Sequence, residues 1–179
     1  MRGKTFLTTV DIALIGVFCA LWVILNLTLG PLGFAWFGLP IFCDFAVFFS
    51  ILLATWATGK FGAASLVGII GASITLMIRA TPFIIGFAAS AILFDILMTL
   101  SRHKISTKPY NLSITALATL LSAYFAGITI GIYFTNNTVE WALTFWGPWH
   151  LAGGIMTLII TVPIIGMLEK ANVRKIKNA

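Results

Sequence analysis

Three ionisable side chains stand at the margins of long apolar runs: Asp44, Arg79 and His150. Charged groups inside or beside a bilayer are expensive, so each is a functional candidate. Asp44 lies four residues past Pro40, Arg79 closes the run that opens at Gly62, and His150 follows Gly147-Pro148-Trp149. Joined by Asn26 and the aromatic residues Trp36, Trp141 and Trp146, they make a set suited to holding a small molecule. Indole rings stack on a flat ring or cover an apolar body. Arg79 or His150 would meet an anionic group, and Asn26 or Asp44 a hydrogen-bonding edge.

Each residue also has a plain structural role. An acid such as Asp44 suits a positive helix N-terminus, Arg79 can extend its head to the interface, and His150 can hydrogen-bond a loop. Tryptophans populate both membrane faces as an aromatic belt. Asp11 and Asp95 read as structural, paired with a basic loop residue such as Lys60 or Arg102. A proton path needs a chain of ionisable groups across the midplane, and these runs lack one. There is no HExxH, GxSxG or phosphate-cradling glycine loop, so no catalytic residue and no cofactor is assigned. Any ATP-driven work must therefore borrow a partner's motor. Cys43, Asp44 and His150 form a conceivable metal set, but three scattered ligands are a thin basis for one.

The elements that must position these residues are membrane helices. Of the 179 residues, 60% are hydrophobic and 9% charged, more apolar surface than a water-soluble domain of this size can hide. Six runs are long enough to cross a bilayer as helices: 9–29, 39–58, 62–78, 82–100, 112–134 and 148–168. They are longer than barrel strands and apolar on all sides, which excludes a β-barrel. The predicted fold is a single all-α membrane domain, a bundle of six transmembrane helices. The net charge of +6 does not point to nucleic acid, because the basic residues occupy short loops and tails. With six crossings, Arg2, Lys4, Lys60, Arg102, Lys104, Lys108, Lys170, Arg174, Lys175 and Lys177 share one side and only Arg79 the other. That asymmetry predicts both termini in the cytoplasm. The opposite connections, 30–38, 79–81 and 135–146, are aromatic and almost uncharged. Within the last, Asn136-Asn137-Thr138 matches a glycosylation acceptor, a short pattern that recurs by chance.

Small residues recur at four-residue spacing: Gly16 and Ala20; Ala64, Gly68 and Ala72; Ala123, Gly127 and Gly131. Such faces let membrane helices approach closely. The second and third sets are expected to hold the bundle together, and the first to do so or to dock another subunit. The helix from Asp11 to Asn26 carries Gly16 and Ala20 where the S components of energy-coupling factor (ECF) transporters carry an Ala-x-x-x-Ala motif. The stretch 59–100 is similar to that family's glycine-rich third helix, turn and fourth helix, and 147–154 to the start of its sixth. The chain thus resembles a substrate-binding S component over most of its length. The resemblance implies capture of a micronutrient, such as a vitamin, at the outer face of the plasma membrane. It also implies partners: a coupling transmembrane subunit that docks at Gly16 and Ala20, and two ATPase subunits. The other readings are a non-catalytic accessory subunit of a larger membrane complex and, more remotely, a membrane enzyme with a Cys43/Asp44/His150 metal centre.

Overall fold

The computed structural model describes residues 6–171 and 173, and these are helical and without strands. Arg2, Lys4, Arg174, Lys175 and Lys177 lie outside the described residues. The main helices are α1 (Thr9–Phe37), α2 (Ile41–Thr58), α3 (Ala63–Arg79), α4 (Ile84–Leu97) and α5 (Pro109–Phe134). A single turn, α6 (Val139–Trp141), leads through a π-helical segment (Ala142–Trp146) into α7 (Gly147–Lys170). A 3-10 turn, Met98–Ser101, extends α4.

Five spans are long and apolar enough to cross a membrane: α1, α2, α4 with its 3-10 turn, α5, and the continuous stretch Val139–Lys170. The remaining helix, α3, is apolar but has 17 residues, about 25 Å of rise. Large apolar side chains such as Val17, Ile24, Met77, Ile96 and Ile159 face outward, the pattern expected where lipid is the solvent. The core centres on Trp22, Phe48, Ile51, Leu52, Val67 and Phe94 of α1 to α4 and extends to Ala123 and Ile130 of α5 and Ile165 of α7.

The helix limits depart from the sequence expectation at two places. Residues 30–38 were expected to form a connection, yet α1 runs on to Phe37 and ends at Gly38, whose φ of 65° makes the left-handed C-cap. Pro31 sits within the helix. The glycines beside it serve packing: a Cβ on Gly30 would lie 3.2 Å from Cys43 Sγ, and one on Gly33 would lie 2.8 Å from the Phe42 ring. They bring α1 close against the start of α2. Likewise, the connection expected over 135–146 shortens to the few residues before Val139, and the rest is helical.

Close packing explains most of the small residues. A Cβ on Gly68 would collide with Ala91 of α4, and one on Gly71 would lie 2.8 Å from the Trp22 indole. One on Gly131 would lie 2.7 Å from Ala142, and one on Gly154 3.0 Å from Ala123. These contacts hold α3 to α1 and α4, and α5 to α7 and the π segment.

Polar contacts define the two ends of the bundle. At one, Asp11 completes a capping box with Thr8 and meets Lys60 Nζ at 2.7 Å, the partner expected for it. Asp95 does not pair with Lys60 or Arg102, as had been expected. Its Oδ2 accepts from the backbone N–H groups of Gly62 (2.8 Å) and Ser65 (3.0 Å) and from Ser65 Oγ (2.7 Å). Gly62 begins α3 with no side chain of its own to cap it, so Asp95 of α4 performs that task from outside the helix. His103 Nε2 lies 3.1 Å from Asp95 Oδ1 and 3.0 Å from its backbone oxygen. This basic end carries Lys60, Arg102, Lys104 and Lys108. The opposite, aromatic end carries the connections after α1, α3 and α5.

Candidate ligand-binding site

A cavity at the aromatic end is built where residues of α1 to α5, the π-helical segment and α7 converge. It consists of two adjoining hollows of about 250 and 210 Å3 that share Phe34, Cys43, Phe83 and Phe87. The first hollow adds Trp146 and His150, the second Asn26 and Arg79. Phe83 and Phe87 are four residues apart, so the start of α4 presents both rings on one face. The walls are mostly aromatic and aliphatic, with few polar groups, the composition of a small-molecule site.

His150 is held on three sides. Its Nδ1 lies 3.0 Å from Asp44 Oδ1, with the two residues 1% and 0% exposed. The ring meets Phe87 at 5.5 Å and Trp146 edge-on at 5.6 Å. Two glycines make room for the pair. A Cβ on Gly127 would lie 2.8 Å from His150 Cδ2, and one on Gly153 would lie 2.6 Å from Asp44 Cβ. The tautomer of the ring sets whether Nε2 donates or accepts. That Nε2 is buried and has no hydrogen-bond partner among the described residues.

Asn26, 5% exposed, likewise has an unpartnered buried Nδ2. Arg79 is the last residue of α3, where a cation suits the helix C-terminus. It makes no salt bridge among the described residues and lines the second hollow beside Asn26. The cavity is therefore edged by the Asn26 amide, the His150 imidazole, the Trp146 indole N–H and the Arg79 guanidinium on a largely apolar wall.

The structure thus brings together Asn26, Arg79, Trp146 and His150 of the residues singled out in the sequence. Asp44 stands one layer back, behind His150, and does not line the cavity. Trp141 is also one layer back, stacked on Trp146 at 5.3 Å and 19°. Trp36 is 67% exposed, lines neither hollow and lies edge-on to Phe37. It lies on the continuation of α1, where a connection was expected. Cys43, Asp44 and His150 do not form a metal-ligand group, and the described residues contain no such cluster. The lining residues Phe34, Phe83, Phe87 and Ile130 were missed, since nothing in an apolar run marks which phenylalanine faces a cavity. One signal was available: Gly153 follows His150 by three residues, on the same helix face, and clears the space that Asp44 fills.

A second feature lies on the flank of the bundle. Ile12, Ile15, Gly16, Cys19 and Ala20 of α1 and Leu66, Ile70 and Ile74 of α3 line an apolar groove of about 380 Å3. Gly16 differs from the packed glycines, because a Cβ there would meet nothing within 4 Å. Comparison with models of known protein families, with curated proteins and with solved structures finds no match.

Proposed function

We propose that this chain is the substrate-capture subunit of an ATP-driven importer of a micronutrient, built like the S component of an ECF transporter. The observation that carries the reading is the cavity itself. Asn26, Arg79, Trp146 and His150 come from separate parts of the chain and converge on two adjoining hollows, with three buried polar atoms, Asn26 Nδ2, Trp146 Nε1 and His150 Nε2, left unpartnered among the described residues. An unpaired polar group in a membrane bundle is costly, and a bound ligand would relieve that cost.

The topology that goes with this reading has six crossings, α3 being the short one, and a cytoplasmic basic end in the plasma membrane. The cavity then opens outward, where a scavenged nutrient arrives. The groove beside Gly16 and Ala20 supports the docking half of the proposal. Gly16 is small although nothing among the described residues requires it, so a partner helix can lie against α1. The same groove would serve an accessory subunit of some other complex, but such a subunit has no use for a polar-edged cavity.

The test is mass spectrometry of what co-purifies with the tagged full chain in mild detergent. The proposal expects two ATPase subunits and one coupling membrane protein. Reproducible recovery of subunits from another membrane assembly, without ATPases, would replace it with the accessory-subunit reading.

A further inference from the structure

The polar surface of the cavity is confined to the second hollow. Arg79 lines it and is the sole Lys or Arg among the lining residues of either hollow, while no Asp or Glu lines them. Beside it stand the Thr81 hydroxyl and Asn26, whose buried Nδ2 has no partner among the described residues. Thr81, Phe83 and Ile84 bring the entry to α4 into the same wall, and no side chain caps that helix start. A guanidinium, an unpaired amide N–H and the positive end of a helix dipole thus converge on a place without an acid.

Asp44 lies behind the His150 ring, 3.0 Å from its Nδ1, and lines neither hollow. A cationic ligand would meet the guanidinium and no carboxylate. A dianion would leave its second charge without a counter-ion. One negative charge fits, and a carboxylate fits the planar donor fork of arginine. Arg79 is exposed as well as lining the hollow, so the charged group can stay at the wet rim and lose little hydration.

The first hollow offers nothing to a charge. Phe34, Phe83, Phe87, Ile130 and Trp146 wall it, and it presents no polar surface. Trp146 Nε1 and His150 Nε2 are unpartnered but covered, so no bond from either to the ligand is required. Burying an apolar body there is favourable, and the aromatic rings suit a flat one.

Resting on the capture reading above, we infer that the ligand is an amphipathic monoacid, with one carboxylate at the Arg79 rim and an uncharged, apolar body in the aromatic hollow.

Calorimetric titration of the full chain in nonionic detergent, against a protein-free blank, with matched naphthalenes tests this. 2-Naphthoate has head and body; 2-naphthamide lacks the charge; 2-(aminomethyl)naphthalene reverses it; naphthalene-2,6-dicarboxylate adds a charge at the far end; acetate lacks the body. Naphthoate is expected to bind saturably. The amide should bind about 10- to 100-fold more weakly, the worth of a hydrogen bond to a charged group. The dicarboxylate should weaken by at least as much, because its far charge would be buried unpaired, and acetate should not bind measurably. Arg79→Gln should bring acid and amide to equal affinity, whereas Arg79→Lys, which keeps the charge, should retain the preference. The probe series on the unaltered chain needs no variant to fold. Any of the other four probes binding as tightly as naphthoate, a preference for the acid that survives Arg79→Gln, or no saturable binding of naphthoate would overturn the inference. So would displacement of naphthoate by an equal concentration of dihexanoyl phosphatidylglycerol, which would give Arg79 to a lipid headgroup. If the amide or amine binds, ligand capture survives and only the acid class falls. If nothing binds, the acid class falls, and recovery of ATPase subunits decides capture separately.

Discussion

Replacing Gly153 by alanine should destabilise the protein although the site is helical and alanine is the better helix former. The new Cβ would lie 2.6 Å from Asp44 Cβ, 2.8 Å from its Oδ2 and 3.0 Å from its Cγ. Carbon atoms rest at about 3.5–4.0 Å, so the gap is about 1 Å too small. Asp44 Cβ is fixed by its backbone and cannot swing aside, so α2 and α7 must separate. Overpacking of this kind costs about 1–3 kcal/mol, and a contact anchored on both backbones belongs at the upper end. Alanine returns about 1 kcal/mol in helix propensity, leaving a net loss of about 2 kcal/mol. Gly16→Ala is the matched control: it gains the same propensity and its Cβ meets nothing within 4 Å. The two variants should therefore differ by about 3 kcal/mol, and thermal unfolding in detergent should show Gly153→Ala melting several degrees below Gly16→Ala. The separation also stretches the 3.0 Å contact between Asp44 and His150, so ligand affinity should fall with stability. Gly153→Ala melting at or above Gly16→Ala would show that α2 and α7 are not packed as described.

Three further outcomes follow from the same geometry. Asp44→Ala leaves a buried imidazole unpaired and should cost about 1–3 kcal/mol, whereas Asp44→Asn keeps a hydrogen-bonding partner for Nδ1 and should cost clearly less; denaturant titration ranks them, and equal losses would refute the pairing. Asp95→Ala strips the start of α3 of two backbone partners, at about 1–3 kcal/mol per group left unpaired. Hydrogen exchange should then rise at Gly62 and Ser65 first, and unchanged protection there would exclude the capping role. Gly16→Leu should leave melting and ligand binding intact while abolishing recovery of the coupling subunit; retained recovery would move the docking face elsewhere.

The helix pattern was legible because membrane spans advertise themselves by length and hydropathy, and five of the six expected runs correspond to helices long enough to cross. The ends were less legible. Gly30, Pro31 and Gly33 read as a turn, since such residues usually punctuate helices. Here Gly30 and Gly33 are small because Cys43 and Phe42 press against them, a tertiary cause that no local rule contains. For the site, polar residues in apolar surroundings were conspicuous, which is why Asn26, Arg79 and His150 could be singled out. Direction was not: Asp44 and His150 are 106 positions apart, and their hydrogen bond exists only after α2 and α7 pack. Trp36 and Trp146 look alike in sequence, yet one is exposed and the other lines the cavity.

Unpartnered buried polar atoms occur through the bundle, among them Trp22 Nε1, Thr55 Oγ1, Trp56 Nε1, Ser122 Oγ and Thr161 Oγ1, and what marks the aromatic end is that several of them share one cavity. At the basic end, Asp11 Oδ2 takes Thr8 and Lys60, and Asp95 Oδ2 takes three donors from the start of α3. Those carboxylates latch helices together. At the aromatic end, Asp44 is spent on His150, but the outcome differs: His150 Nε2 and Asn26 Nδ2 have no partner, and Arg79 has no counter-ion among the described residues. All three line one cavity, where a ligand can supply the missing partners. The desolvation cost carried by the empty site is then the source of its selectivity: a ligand that lacks any one of the complementary groups leaves that group unpaired and binds less well.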